Sequence, residues 1–410
     1  MLRRFLRYVE KIFDLEEQAE SLRDTRIDPQ IGAPAVWKSV FLMFAFRLGS
    51  LNRLEQELHR PGMWRKLLGD RPPSADTVGY SSCRFSMEEL RSLVAHHHRR
   101  AWRNKGVKGR PGERRRVVAM DAHELWASEA RCCDQCLQRV VQKKNHTVTQ
   151  YYHRVVVAQW IGVKPPGILD VTLVRPGEGE VVAARRLLQR ILRVYDRLID
   201  VISADAIYLE APFLNDVLEA KKHFVVVLKQ ENRDLYQDAE KLRTLKEPKV
   251  ISGEGKTSRI WDLEGLTTFS TLGRVVRVVW AEERKTFVRI VGGKRQQVTE
   301  DSTWVWVTDL SCEEASAPTI QRMGHDRWDV ENRGFNERVQ HWDMDHCFVH
   351  DPTAIEMFLL TLAVAFLTTY LFYEHNLKEP LRRFLSRLAL AARLLEDLPS
   401  TLGNLPGPSG

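Results

Sequence analysis

A chain of 410 residues is long enough for two or three domains with a sizeable core. Its 62 Lys and Arg against 54 Asp and Glu leave a formal charge of +8 and a pI near 9.2, which favours a polyanionic partner, nucleic acid foremost. Six irregularly placed cysteines are too few for a secreted disulfide scaffold, and the charged, amphipathic opening MLRRFLRYVEKIFDLEE is unlike a secretory leader, so a reducing cytoplasm is the expected compartment.

Residues 1–98 read as a helical domain. Apolar residues recur at helical spacing from Ala35 to Leu58 and again in SMEELRSLVAHHHRRAWR, where Ser86 caps with Glu89 three positions on. Such a domain serves either as a DNA-binding arm or as a structural cap, and it carries no clear helix-turn-helix signature. His96, His97 and His98 are expected on a solvated helix face. Residues 99–116, RRAWRNKGVKGRPGERRR, hold nine Lys or Arg and one Glu and form a basic linker. Arg114, Arg115 and Arg116 at its end are candidates for phosphate contact, which would weaken steeply with salt.

The run RVVAMDAHELW then reads as an apolar strand ending in Asp121. Strand-like stretches follow at 149–161 and 167–175, a helix at 180–199, the strand DVISADAIY carrying Asp205, a helix at 211–222 and the strand His223 to Lys229. A three-strand meander followed by helix, strand, helix and strand is the order of an α/β, ribonuclease H-like core, here residues 117–230. In that order the first and fourth strands are central neighbours, which would set Asp121 beside Asp205. Acids at strand ends often cap turns, but the end of a buried strand is also where α/β folds expose functional groups. Between the first two strands, ARCCDQCLQR gives Cys133 and Cys136 the C-x-x-C spacing of a zinc site. Completing four ligands would need Cys132, His146 or His153, so reduced thiols are expected, with a structural zinc as the alternative.

Residues 231–317 are too many for a plain loop. Strand-like runs at 274–281, 286–293 and 302–310, with turns at Gly253 to Gly255 and Gly292 to Gly293, predict a β-rich stretch. This stretch carries Trp261, Trp280, Trp304 and Trp306. Alternation places Trp304 and Trp306 on one sheet face, which favours core packing.

The core resumes over 318–376. On an ideal helix Asp326 to Trp342, DRWDVENRGFNERVQHW, puts Arg327, Glu331 and Arg338 within roughly 40° of one another. Trp328 and Phe335 lie together at one edge of this stripe, facing inward, and Asp329 lies opposite. Glu331 is therefore the candidate third acid. Three converging carboxylates repel one another, and hard divalent cations such as Mg²⁺ or Mn²⁺ relieve that cost, two ions serving in-line attack at phosphorus. His341, Asp345, His346 and His350 in HWDMDHCFVHD are expected to cap and to contact DNA rather than to bind zinc. The apolar stretch Met357 to Tyr373 spans 17 residues and holds three threonines, which predicts a buried core helix rather than a membrane span. Residues 377–410 read as a last helix and a tail.

Asp121 and Asp205, each after an apolar strand, and RWDVENRGFNER on a late helix resemble the DDE transposases of bacterial insertion sequences. The resemblance is to the group with a Tyr-Arg-Glu-Lys signature around the third acid, and it covers about 117–375. Arg327 and Glu331 match that signature in type and spacing, Arg338 stands at the Lys position, and Gly324 stands where Tyr is expected. The resemblance implies a cut-and-paste type DNA transposase that nicks by hydrolysis and then joins strands through a 3′-hydroxyl, with Mg²⁺ held by Asp121, Asp205 and Glu331. Arg327, Arg338 and Asn332 would lie at the DNA, and the β-rich stretch would be an insertion in the core that grips the element ends, with Trp261, Trp280, Trp304 and Trp306 as candidates for a base contact. Double-stranded DNA, as element ends and as target, would be the partner of a homodimer located in the cytoplasm and on the nucleoid when DNA-bound, with no membrane involved. The rival from another class is a transposase-derived DNA-binding protein that no longer catalyses.

Overall fold

The computed structural model describes residues 1–60, 65–144, 146–229, 231, 233–328, 330 and 335–398. In chain order the principal elements begin with helices α1 (Leu2–Phe13), α2 (Ala33–Ala45) and α3 (Met87–Arg103). Strands β1 (Val117–Ser128), β2 (Leu137–Gln142), β3 (Thr147–Ile161) and β4 (Ile168–Leu173) follow. Next come α4 (Glu180–Tyr195), β5 (Val201–Ala204), α5 (Ala211–Glu219), β6 (His223–Val227) and α6 (Asp234–Thr244). The series closes with β7 (Lys249–Gly253), β8 (Lys256–Leu266), β9 (Val276–Val291), β10 (Lys294–Thr308), α7 (Ala317–Asp326), α8 (Asn336–Trp342) and α9 (Pro352–Asn376). Two compact units result, one of Met1–Gly112, Ala122–Ala183 and Asn332–Gly410, the other of Glu113–Asp121 and Ala184–Glu331. Strands β2, β3 and β4 belong to the first unit and β5 to β10 to the second, and the unit boundary falls within β1, after Asp121.

The first unit is built on α9. Apolar on every side, this helix is buried along most of its length and packs against α2, α3 and β4, as a core helix should. The Asp351 carboxylate caps its start by accepting the Ala354 N–H at 3.0 Å. Burial of three threonines is tolerated because Thr361, Thr368 and Thr369 donate back to the carbonyls of Met357, Val364 and Ala365 at 2.8, 2.7 and 2.8 Å. The Arg91 guanidinium on α3 pairs with both Asp170 on β4 and Glu356 on α9, joining the three elements. In the sheet β4 pairs with β3, which also lies between β2 and β1.

His97 and His98 depart from their expected solvated face: both are fully buried. Residues 87–103 are covered by α9 and α1, so His97 stacks on Phe13 at 3.7 Å and meets the Thr368 hydroxyl at 2.9 Å. The His98 ring bonds the Val94 carbonyl at 2.7 Å and sets its edge on Trp160. Burial pushes His98 down to about 4, so it packs as a neutral ring.

In the second unit the sheet runs β1-β5-β6-β10-β9-β8-β7. Strands β1, β5 and β6 are parallel, and their inner residues are buried, as parallel strands covered on both faces require. The segment expected as an insertion continues this sheet, because Trp306, Val307 and Thr308 of β10 pair with Val227, Val226 and Val225 of β6. Gly292 and Gly293, with φ of 57° and 78°, make the two-residue turn joining β9 to β10. The runs expected at 274–281 and 286–293 are one strand: cross-strand pairs such as Arg284 with Asp301, at 2.8 Å, carry the ladder through the charged stretch between them. Trp304 and Trp306 share a face with rings 6.2 Å apart and 8° from parallel, Trp306 fully buried. Trp261 and Trp280 are buried too.

Glu283 points into this unit with its carboxylate fully enclosed. It accepts from His325 at 2.6 Å and from Gln321, and pairs with Lys256 at 2.9 Å. Burial alone would raise the carboxyl, but the bonds from His325 and Lys256 and their charges outweigh it and hold Glu283 at about 2. Its folded value lies below its unfolded value, so its contribution is complete above pH 4.5 and is lost as pH falls towards about 2. In thermal or urea unfolding across this window, wild type should lose on the order of 3 kcal/mol more than Glu283→Gln. Parallel acid limbs for the two proteins would refute the assignment.

Candidate active site

Two short apolar runs create the site, which lies wholly in the second unit. Val117–Met120 and Val201–Ala204 are buried and pair in parallel register, Val117 with Val201 through Met120 with Ala204. The next residue of each is an aspartate, so Asp121 and Asp205 leave the paired segment at the same level. For β5 this is the strand end, and the short helical turn Ala206–Tyr208 follows at once. β1 differs from the sequence expectation, for it does not stop at Asp121 but continues to Ser128.

Carboxylates held this close repel, and two cations answer them. Arg327, at the C-terminal cap of α7 and only 1% exposed, donates from Nη1 to Asp121 Oδ2 at 2.9 Å, and its Nη2 stands 3.9 Å from Asp205 Oδ1. Lys229, just past β6, places Nζ 3.0 Å from Asp205 Oδ1 and donates to Oδ2 at 3.3 Å. Burial would raise the Asp205 carboxyl, but the Lys229 bond, the Ala206 N–H and the Arg327 charge together hold it below the usual carboxylate range. Asp205 is therefore ionised at neutral pH. Its Oδ1 is buried and meets the Lys229 ammonium as an ion pair without an aligned hydrogen bond. Carboxylate oxygens are the hard donors that suit Mg²⁺ or Mn²⁺, so the pair fits a divalent ion.

Glu331 and Asn332 lie outside the described residues, as does Asp329. Arg327 and Trp328 belong to the second unit, whereas Phe335 and Arg338 belong to the first. Trp328 lies edge-on to Trp304 at 5.4 Å and Phe335 stacks on His123 at 4.7 Å, so neither supports the single inward edge read from helical spacing. Arg338 corrects the expectation of a phosphate contact. It is fully buried, donating to Gln159 Oε1 at 2.6 Å and to the Pro166 carbonyl at 3.1 Å, with its guanidinium over the Phe366 ring. Burial pushes it down to about 10, which still leaves it a cation. Of the linker arginines, Arg116 clamps Asp200 through Nε and Nη2 at 2.8 and 2.9 Å, Arg115 donates to the Glu314 carbonyl at 2.6 Å, and Arg114 is exposed. Cys132 is exposed, whereas the sulfurs of Cys133 and Cys136 lie 3.7 Å apart beside His153. Lys229 was missed in the sequence, although it is the first charge after the apolar run HFVVVL, the signal that singled out both aspartates.

Gly324, on α7, is explained by Trp306. A Cβ there would fall 2.0 Å from the indole Nε1 and 2.4 Å from Cε2. The buried indole fills the space a side chain at 324 would take. On an open helix Gly→Ala stabilises by about 1 kcal/mol; here Gly324→Ala should destabilise by roughly 1–3 kcal/mol from overpacking. Denaturation of Gly324→Ala in wild-type and Trp306→Leu backgrounds checks this: the penalty should shrink in the second background, and equal penalties would exclude the indole as the cause.

Residues 112–367, more than half of the chain, match a family model described as a transposase DDE domain. No curated protein matches the chain. Asp121 and Asp205 lie inside the matched region, and the chain belongs to the transposase DDE domain family.

Proposed function

We propose that this chain cleaves and rejoins double-stranded DNA at the ends of an insertion sequence, with Asp121, Asp205 and Glu331 as its metal-holding acids. The observation that carries the reading is the parallel register that delivers Asp121 and Asp205 to one level beside a buried arginine. Support for a ribonuclease H-like core comes from the family match and, within the second unit, from β1, β5 and β6 lying side by side in parallel. Glu331 enters through its sequence match alone.

When bound at these acids, Mg²⁺ or Mn²⁺ would activate the attacking oxygen and stabilise the leaving one. The protein's own part is to hold charge. Arg327 keeps Asp121 oriented and offsets the repulsion between the two acids. Lys229, about half exposed, keeps Asp205 ionised and offers a cation beside the pair that a phosphate can meet. In the first reaction water attacks phosphorus, the bond to the 3′ oxygen breaks, and that oxygen takes a proton to become a 3′-hydroxyl. In the second the hydroxyl attacks a target phosphate, a new ester bond forms, and the target's 3′ oxygen leaves with a proton. Arg114, exposed at the end of the basic linker, and Asn332 are the proposed further DNA contacts; assembly is as a dimer on paired ends, in the cytoplasm.

Supercoiled plasmid carrying the element ends, incubated with Mg²⁺, should be nicked and joined by wild type. Asp121→Asn and Asp205→Asn should abolish both products while still retarding end DNA in a gel. Unimpaired cleavage by Asp205→Asn would sink the site assignment. Wild type that binds ends but never nicks would instead favour the non-catalytic DNA-binding reading. A second measurement follows from the competition of Lys229 with metal for Asp205. Lys229→Met should lower the half-saturating Mg²⁺ concentration for cleavage by about threefold, the scale of an exposed ion pair. An unchanged or raised requirement would exclude that competition.

A further inference from the structure

The first unit holds a set of side chains that nucleic-acid chemistry does not use. The Sγ atoms of Cys133 and Cys136 and one ring nitrogen each of His153 and His350 all lie within 4.8 Å of one another. They come from three separated segments: the loop between β1 and β2, the middle of β3, and the residue before the Asp351 cap of α9. Each segment is fixed independently. Cys136 N–H donates to the Cys133 carbonyl at 3.1 Å and Cys133 N–H to the Cys136 sulfur at 3.3 Å, closing a tight C-x-x-C turn. The β2–β3 ladder pairs Leu137 with Tyr152, so Cys136 and His153 follow as the next opposed pair. His350 is held by the helix start that Asp351 caps.

Four of the six ligand separations approach those of a tetrahedron around one ion, and all six lie within 4.8 Å. Zn–S bonds of about 2.3 Å and Zn–N bonds of about 2.05 Å, at tetrahedral angles, set sulfurs about 3.8 Å apart and sulfur and nitrogen about 3.6 Å apart. Here the two sulfurs are 3.7 Å apart; Nε2 of His153 is 3.4 Å from Cys133 Sγ and 3.5 Å from Cys136 Sγ, and Nε2 of His350 is 3.1 Å from Cys136 Sγ. A disulfide would need sulfurs about 2.05 Å apart, and both cysteines are free. His153 and Cys136 are buried, and the Trp126 ring lies against both histidines, at 5.6 and 5.9 Å. A closed set of two sulfurs and two nitrogens selects zinc over Mg²⁺ or Ca²⁺, and four protein ligands leave no open position for catalysis.

We propose that Cys133, Cys136, His153 and His350 bind one structural Zn²⁺, which ties the C-x-x-C loop and the segment before α9 to strand β3. Sequence spacing could not show this, since the second pair of ligands comes from two histidines far apart in the chain. Cys132, considered as a ligand from the sequence, is outside the set, and His350, read there as a capping or DNA-contacting residue, is inside it.

The test needs neither DNA nor transposition, so its outcome is separable from that of the proposed activity. Full-length protein purified in reducing, chelator-free buffer should carry about one zinc per chain by atomic emission. Cys136→Ser and His350→Gln should each lose most of it, while Cys132→Ser and Asp121→Asn, outside the set, should retain it. Exchange of wild type into Co²⁺ should give the visible d–d bands and near-ultraviolet thiolate charge transfer of a tetrahedral sulfur-ligated ion, a readout that requires no variant to fold. Wild-type protein that carries no zinc and gives no such spectrum overturns the proposal. Zinc retained by both Cys136→Ser and His350→Gln overturns the ligand assignment.

Discussion

The repulsion between Asp121 and Asp205 is the constraint on which the second unit depends. Parallel pairing of two buried four-residue runs leaves the carboxylates no freedom to separate, because any slip in register would break the apolar match from Val117 with Val201 to Met120 with Ala204. Positive charge must therefore come to them. Arg327 is buried to do so, and a buried guanidinium is tolerable only when its charge is met. The acids and the arginine thus stabilise one another, and removing either kind would leave an uncompensated buried charge.

That mutual dependence explains why the aspartates were legible in the sequence and their partners less so. VVAMD and VISAD state burial and chain direction in five letters each, and parallel neighbours convert those statements into proximity. Arg327 was recognisable through its spacing from Glu331, but the sequence pointed it at phosphate, whereas in the structure its first partner is Asp121. Arg338 had the same spacing argument and a different outcome: helical periodicity gives the direction of a side chain and not what covers it, and here Gln159, Pro166 and Phe366 do. His97 and His98 went astray for the same reason, since a run of three histidines reads as polar until the packing of α1 and α9 is known. The charged break Glu282–Lys285 likewise split one strand into two expected ones, because a cross-strand partner such as Asp301 is invisible from within the run.

Gly324, where the signature that the sequence resembles has Tyr, has a structural reason for carrying no side chain. The space an aromatic ring would need at 324 is occupied by an aromatic ring delivered from β10. Trp306 stacks on Trp304, and both meet His325, which bonds the enclosed carboxylate of Glu283. Absence of a side chain at 324 is therefore part of a packed arrangement linking α7 to β9 and β10. It removes the main sequence argument that the position had simply decayed, since an unconstrained site would accept alanine readily.

The chain also sorts its donor chemistry by unit. In the proposed function, the carboxylate pair of the second unit offers hard oxygens to an ion that must remain exchangeable with water and phosphate. The Cys and His set of the first offers sulfur and nitrogen in a closed tetrahedron, which soft-ligand metals occupy and Mg²⁺ does not. Divalent metals follow a common affinity order at any mixed site, so a zinc ligand such as cysteine beside Asp121 and Asp205 would draw zinc into a centre suited to Mg²⁺. Keeping sulfur out of that centre gives metal selectivity by composition, before geometry contributes, and leaves a tightly held ion free to act only as a cross-link.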